Sequence, residues 1–301
     1  MTGSGGGLLV VGDVVTDVVA RHRGPLASAT DTMAHIRTVP GGAGANAACW
    51  AAHSGCPDVR LLARVGRDSA GWHDLRLRRA GVRPLLIPDA DAPTATVIAL
   101  VDTATAERTF LTDSGAVHRM NPADWSPTLL DGVSHLHLSG YLLFADPSRE
   151  LALVARKSAQ RTRVTVSLDP ASTGFIHALG VDRFLAMAEG TDILLPNADE
   201  AAFLTGLPEP ADAAAKLSRQ FPLVAVTLGA AGALVAAAGE VIAEVAAPQA
   251  TALDSTGAGD AFTGAFLAAH LTCAPPREAA EAGCRAGALA VGLVGGRPPL
   301  G

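Results

Sequence analysis

Residues 254–260, Asp-Ser-Thr-Gly-Ala-Gly-Asp, set two carboxylates six positions apart around a Gly-Ala-Gly turn and lead into an apolar helical stretch, 261–271. The first amides of a helix have no intrahelical acceptor, and the helix dipole adds partial positive charge there. With Gly257, Ala258 and Gly259 at that terminus, no bulky side chain keeps an anion from the amides, so the turn suits a phosphoryl group. Asp260 carries the wrong charge to hold that anion. It is suited instead to accept a proton from a hydroxyl attacking phosphorus. A simple N-cap needs one Asp or Ser, whereas Asp254, Ser255, Thr256 and Asp260 crowd a single turn with two glycines.

Chemistry of this kind needs a scaffold that brings distant residues together. Aliphatic runs at 8–12, 59–66, 133–140, 163–169, 192–197 and 223–229 each end at Gly, Asp or Asn and read as buried strands. Ala/Leu-rich segments of helical period separate most of them, which predicts an α/β fold: a mostly parallel sheet covered by helices. Ligands of such sheets sit beyond the carboxyl ends of the strands. That rule singles out Asp17, read as ending the first strand, together with 66–68, Asp169, 197–200 and 227–232, nearly all polar or glycine. Two stretches, 17–42 and 93–116, break the rhythm, the second alternating like an exposed hairpin that turns near 102–106. They predict a small β flap, formed by about 17–40 and 93–113, inserted in one domain spanning 1–301.

Composition narrows the ligand. The 301 residues are 49% hydrophobic and 17% charged, enough for a large core. The net charge is −6, and lysine occurs only at Lys157 and Lys216, so neither nucleic acid nor an anionic membrane surface is expected as a partner. Cys49, Cys56, Cys273 and Cys284 form no CxxC pair, which suits buried thiols in a reducing, cytoplasmic setting. The first residues show no basic leader, and no apolar run approaches the roughly 20 residues of a membrane span.

Four segments then fall into a recognisable order. The 254–266 stretch resembles, nearly residue for residue, the C-terminal signature of the ribokinase-like (phosphofructokinase-B type) carbohydrate kinases. Residues 39–55 are similar to that family's N-terminal di-glycine signature, 196–206 to its Asn-x-x-Glu element, and 226–235 to its nucleotide-binding Thr-x-Gly-x-x-Gly. The resemblance implies a three-layer sandwich with a β lid that excludes water, and ATP-dependent phosphorylation of a primary hydroxyl on a sugar-like molecule. By that resemblance Asp260 is the general base and Gly257, Ala258 and Gly259 form the anion hole. Asp17, Gly41, Gly42 and Asn46 bind substrate. Asn197, Thr227, Gly229 and Gly232 bind the nucleotide, with Glu200 holding Mg2+ largely through water. Asp254 and Thr256 match positions that bind a monovalent cation such as K+ in some members, and the lid makes a homodimer in many. The chain departs from ribokinases in carrying Ala43 where Lys is expected and Val15 where Asn is expected, which points away from ribose. A nucleoside kinase of the same family, and a sugar or nucleotide sensor without catalysis, are the alternatives.

Other features have plainer readings. Residues 42–47 fit a dinucleotide-binding G-x-G-x-x-A pattern, but no clear strand precedes it. His135 and His137 share one strand face without further ligands nearby, which favours packing over metal binding. Asp13 reads as a loop acid, and Asp169 either supports the site or forms an Asp-Pro turn. Asn197 and Glu200 have capping-box spacing as well as their implied role. Arg64, Arg67 and Arg108 are the cations that would have to converge if the substrate carried a phosphate.

Overall fold

The computed structural model describes residues 6–105 and 108–299. In chain order the elements are β1 (Gly7–Val11), β2 (Val15–His22), β3 (Ala34–Gly41), α1 (Ala43–His53), β4 (Val59–Gly66), α2 (Ala70–Arg79), β5 (Val82–Asp89), β6 (Ala95–Asp102), β7 (Arg108–Asp113) and β8 (Val133–Ser139). They continue with α3 (Asp146–Thr162), β9 (Thr165–Asp169), α4 (Thr173–Leu179), α5 (Val181–Ala188), β10 (Ile193–Leu194), α6 (Ala198–Thr205), α7 (Pro210–Leu217) and β11 (Leu223–Thr227). The chain closes with β12 (Ala233–Ala237), β13 (Glu240–Val245), α8 (Ala258–Leu271) and α9 (Pro276–Ala290).

Nine strands form one sheet in the order β13-β12-β11-β10-β9-β8-β1-β4-β5. The seven from β11 to β5 run parallel, and β12 and β13 add an antiparallel edge. All five residues of β1 are buried because helices cover both faces. Their alternation divides the core: Leu9 and Val11 join Leu136 and Leu168 in a layer closed by Leu151 of α3, Phe184 of α5 and Leu204 of α6. Leu8 and Val10 point the other way, toward Ala48 of α1, Leu77 of α2, Phe266 of α8 and Ala280 of α9. Small side chains on α1, α8 and α9 let these helices approach one another closely, which fixes where α8 begins.

The second sheet has four strands, ordered β3-β2-β6-β7. Asp17 pairs with Val39 and Val97, and Val97 with Thr112, so these four share the face that carries the cleft residues Asp17, Val97 and Thr112. The expected flap is thus present. Its strands start two residues earlier than predicted on the first arm, and a turn at 103–105 falls within the expected 102–106 stretch, of which Ala106 lies outside the described residues. Among the described residues no helix is long and apolar enough to cross a membrane.

Several expectations need correction. Asp17 does not end the first strand: β1 stops at Val11, and Asp17 is the third residue of β2 in the small sheet. The 192–197 run yields only the two-residue β10, because Pro196 and the helix start at Asn197 cut it short. The G-x-G-x-x-A segment opens α1 after β3, a strand of the small sheet, so it does not follow a central strand as dinucleotide binding requires. The expectation for His135 and His137 holds: they pack in the core, hydrogen-bonded to Thr165 and Ser167 at 2.7–2.8 Å.

Candidate active site

The N-termini of α1, α4, α6 and α8 border one cleft of about 550 Å3 between the two sheets. At α1, Asp13 accepts from the amides of Ala43 (2.8 Å) and Gly44 (3.1 Å) and from the Ser139 hydroxyl (2.9 Å). The carboxylate read as a loop acid therefore caps the di-glycine helix. At α6, Asn197 and Glu200 close a reciprocal capping box, with the Glu200 amide on Asn197 Oδ1 (2.8 Å) and the Asn197 amide on Glu200 Oε2 (2.9 Å). At α8 the N-cap is Gly257, which has no side chain to cap the turn. Gly257 has φ of 76°, and a Cβ there would collide with Gly296, so only glycine lets the 254–260 turn rest on the 295–297 loop. A Cβ on Gly259 would meet nothing: the space before this terminus is open.

Asp260 stands on the first turn of α8 and accepts a hydrogen bond from Asn46 Nδ2 at 2.8 Å. Burial holds its proton well above the ordinary carboxyl range. The Asn46 hydrogen bond opposes that rise, and the charges of Asp169, Asp13 and Asp17 add to it. Across the cleft Asp17 is pushed up to about 7, first by burial and then by Asp13, with Arg297 pulling it back. Asp169 is raised by burial and by the charge of Asp13, and Glu200 by burial and by the charge of Asp169. Such crowding of carboxylates in a concave site marks a place where a cation or a transferable proton is wanted.

The predicted residues divide as follows. Asp17, Gly42, Asn46, Asn197, Glu200, Thr227, Thr256, Gly257, Gly259 and Asp260 all line the cleft. Gly41 lies immediately behind it, with the Asp17 carboxylate occupying the space its Cβ would need. Ala258 opens α8 with its amide turned back to Ser255 O at a long 3.4 Å. Gly229 and Gly232 sit in the turn after β11, beyond Thr227 and off the cleft wall. Asp254 is also off the wall, its carboxylate accepting from the amides of Thr256 (3.0 Å) and Gly295 (3.2 Å). Arg64 and Arg67 do not reach the cleft, Arg64 being paired with Asp89 and Asp124 and Arg67 exposed, and the side chain of Arg108 lies outside the described residues.

Sequence reasoning missed one wall of the cleft. Tyr141 and Phe175 meet edge to face at 5.7 Å, and with Phe110 and Val97 from the small sheet and His118 they make an apolar and aromatic surface. Burial lowers the His118 pKa, against the opposing charge of Asp113. Asp169 was half-seen: its Oδ1 accepts from the Ala171 amide at 2.7 Å, as a turn residue would, and it also lines the cleft. Apart from Arg108, the residues around this space include six carboxylates and no lysine or arginine.

With this geometry in view, relatives can be compared. The family model for pfkB family carbohydrate kinases matches residues 7–300, and the chain belongs to that family. It is 32% identical over 276 residues to a fructokinase from Klebsiella pneumoniae, covering 87% of this chain and 84% of that one. In three dimensions it is similar to the adenosine kinase of Sinorhizobium meliloti, with a TM-score of 0.88, 22% identity and coverage of 98% and 96% of the two chains. It is similar also to a ribokinase II from E. coli in complex with ATP and Mg2+, with a TM-score of 0.86, 23% identity and coverage of 97% and 94%. The chain is therefore a kinase of the pfkB family with the ribokinase-like fold, and its relatives act on sugars and on a nucleoside.

Proposed function

We propose that the protein transfers the terminal phosphoryl group of ATP to a primary hydroxyl of an uncharged sugar or sugar-like molecule. The observation that carries this reading is the glycine-rich α8 terminus with Asp260 beside it, in a cleft where the α1 and α6 ends are closed by carboxylates. The acceptor hydroxyl binds against Asp17 and the Gly41–Gly42 floor, and Asp260 takes its proton as the oxygen attacks phosphorus. The raised pKa of Asp260 makes it a willing proton acceptor once the attack begins. Asn46 holds one carboxylate oxygen and leaves the other for the hydroxyl. Amides at 257–259 stabilise the charge on the transferring group. The Ala258 amide is available because its 3.4 Å bond to Ser255 is weak.

A magnesium site fits the donors present. Among the described residues no three His, Cys, Asp or Glu side chains gather as a metal cage, and Mg2+ usually keeps several waters and takes one or two carboxylates. Glu200, with Asp169 facing it, would hold the ion, which when bound offsets the phosphate charge. Asn197 and Thr227, joined across the β10–β11 edge, with Gly229 and Gly232 beyond, would receive the nucleotide. A monovalent cation such as K+ is assigned to the turn of Asp254 and Thr256 where it meets the 295–297 loop.

The lack of Lys and Arg among the described cleft residues favours a neutral acceptor over a sugar phosphate or sugar acid, since burying those anions without Arg or Lys is costly. The aromatic wall of Tyr141, Phe175 and Phe110 supports a nucleoside as the second reading, because a base could pack there. The four cysteines are unpaired, which suits the cytoplasm. A homodimer through the small sheet is proposed on the exposed Ile36 and Leu111, which the register turns away from the cleft. The test of function is phosphate transfer from Mg-ATP to fructose, other neutral sugars, adenosine, fructose 1-phosphate and a sugar acid. Transfer to neutral acceptors supports the reading. Preference for the anionic ones overturns its substrate class, and binding without any transfer favours a sensor.

A further inference from the structure

The loop after α9 carries Arg297, whose guanidinium lies behind the cleft wall. Nη2 donates to the Gly41 carbonyl at 3.2 Å, while Nε and Nη1 are buried without a hydrogen-bond partner among the described residues. A buried cation without a paired carboxylate is costly and calls for an electrostatic reason. That reason lies one residue away. The Asp17 carboxylate fills the space a Cβ on Gly41 would take, so carboxylate and guanidinium both meet the same glycine.

The surrounding charges give Arg297 its weight. Asp17 is faced by Asp13 from the β1–β2 connection, by Asp254 from the turn before α8 and by Asp260 from α8 itself, all of its own sign. Arg297 is the group that favours the ionised form of Asp17 against burial and these neighbours. Its loop is also anchored to the catalytic half of the molecule. The Gly296 carbonyl accepts from Trp50 Nε1 at 2.9 Å, and the Gly295 amide donates to Asp254 at 3.2 Å. Arg297 thus stands where β3, α1 and the turn before α8 meet.

We infer that Arg297 is a positioning residue for acceptor binding: it grips the Gly41 carbonyl and lends its charge through that glycine, fixing Asp17 where acceptor hydroxyls meet it. This rests on the reading of Asp17 as the acceptor's hydroxyl partner. Lysine in its place keeps a charge but lacks the planar fork, whereas glutamine loses the charge.

The test compares wild type, R297Q and R297K by two readouts. In the first, the Asp17 carboxyl is titrated by carbon-13 NMR in the substrate-free protein. Its midpoint should move up by about half a pH unit or more in R297Q and stay near the wild-type value in R297K. In the second, KM is measured for D-fructose and adenosine and, separately, for Mg-ATP. Acceptor KM should rise about tenfold in R297Q and less in R297K, with KM for Mg-ATP unchanged. An unmoved Asp17 midpoint in folded R297Q overturns the inference, as does an equal rise of both KM values. If R297Q does not fold, R297K decides: a rise in acceptor KM alone supports the role, and no change in either KM overturns it. Should wild type phosphorylate neither acceptor, that choice of acceptor fails, while the titration still decides the role of Arg297.

Discussion

Two helix ends face each other across the cleft and are built in opposite ways. The α6 terminus is sealed by its own side chains, Asn197 and Glu200 satisfying each other's amides, and α1 is sealed likewise by Asp13. The α8 terminus begins with glycines, has no side-chain cap and opens onto empty space at Gly259. A helix buried in this way gives up the stabilisation of a cap, worth about 1 kcal/mol. On the proposed function the difference separates an end that holds the fold from one open to a ligand: the closed termini position the walls, and the open one would offer its amides to an anion.

The contrast can be broken most severely at Asp260. Asp260→Asn should lower kcat by 10²-fold or more, the usual cost of losing a general base, measured as phosphate transfer from Mg-ATP. It should also melt no lower than wild type at pH 8, because a buried carboxylate whose pKa is raised opposes folding when ionised. Equal activity, or a large loss of stability, would put Asp260 on the structural side of the comparison.

Asp13→Ala should show the reverse pattern, destabilising the protein by about 2–3 kcal/mol by leaving two amides and the Ser139 hydroxyl without their acceptor. Denaturant unfolding checks this.

Asp17 sharpens the comparison through pH. Its folded-state pKa of about 7 lies above the ordinary value near 4, so the folded chain holds that proton more tightly than the unfolded chain does. The stabilisation is complete below the unfolded value and is lost as pH rises through about 7. Asp17→Asn should therefore flatten the pH dependence of Tm between pH 4 and 7 and raise Tm at pH 8. An unchanged profile would contradict the crowding of charge at this wall. The smallest effect is expected at Asn197→Ala, which removes half of a capping box for about 1 kcal/mol and leaves Asp260 in place.

Much of this arrangement is legible in the residues themselves. The parallel strands announce themselves because both of their faces are buried, which leaves unbroken aliphatic runs, and the small sheet because one face is wet and its pattern alternates. The open terminus is visible as glycines before an apolar helix. What depends on contacts between distant segments is not visible. Asp13 looks like any loop acid until Ala43, Gly44 and Ser139 arrive around it, and Arg297 is one cation near the C-terminus until Gly41 is placed against it. Asp17 was assigned to the wrong element, since Val14-Val15-Thr16 continues the apolar run while the chain has already left the large sheet. The aromatic wall draws on the small sheet, Tyr141 and Phe175, which no local pattern connects.

The most direct measurement is an amide chemical-shift map of the protein with and without Mg2+ and the non-hydrolysable nucleotide AMP-PNP. The amides of 257–260 should move most, with the amides of Ala43 and Gly44, sealed by Asp13 and apart from the magnesium and nucleotide residues, moving much less. Shifts centred on Ala43 and Gly44, with 257–260 unmoved, would contradict the open-terminus reading.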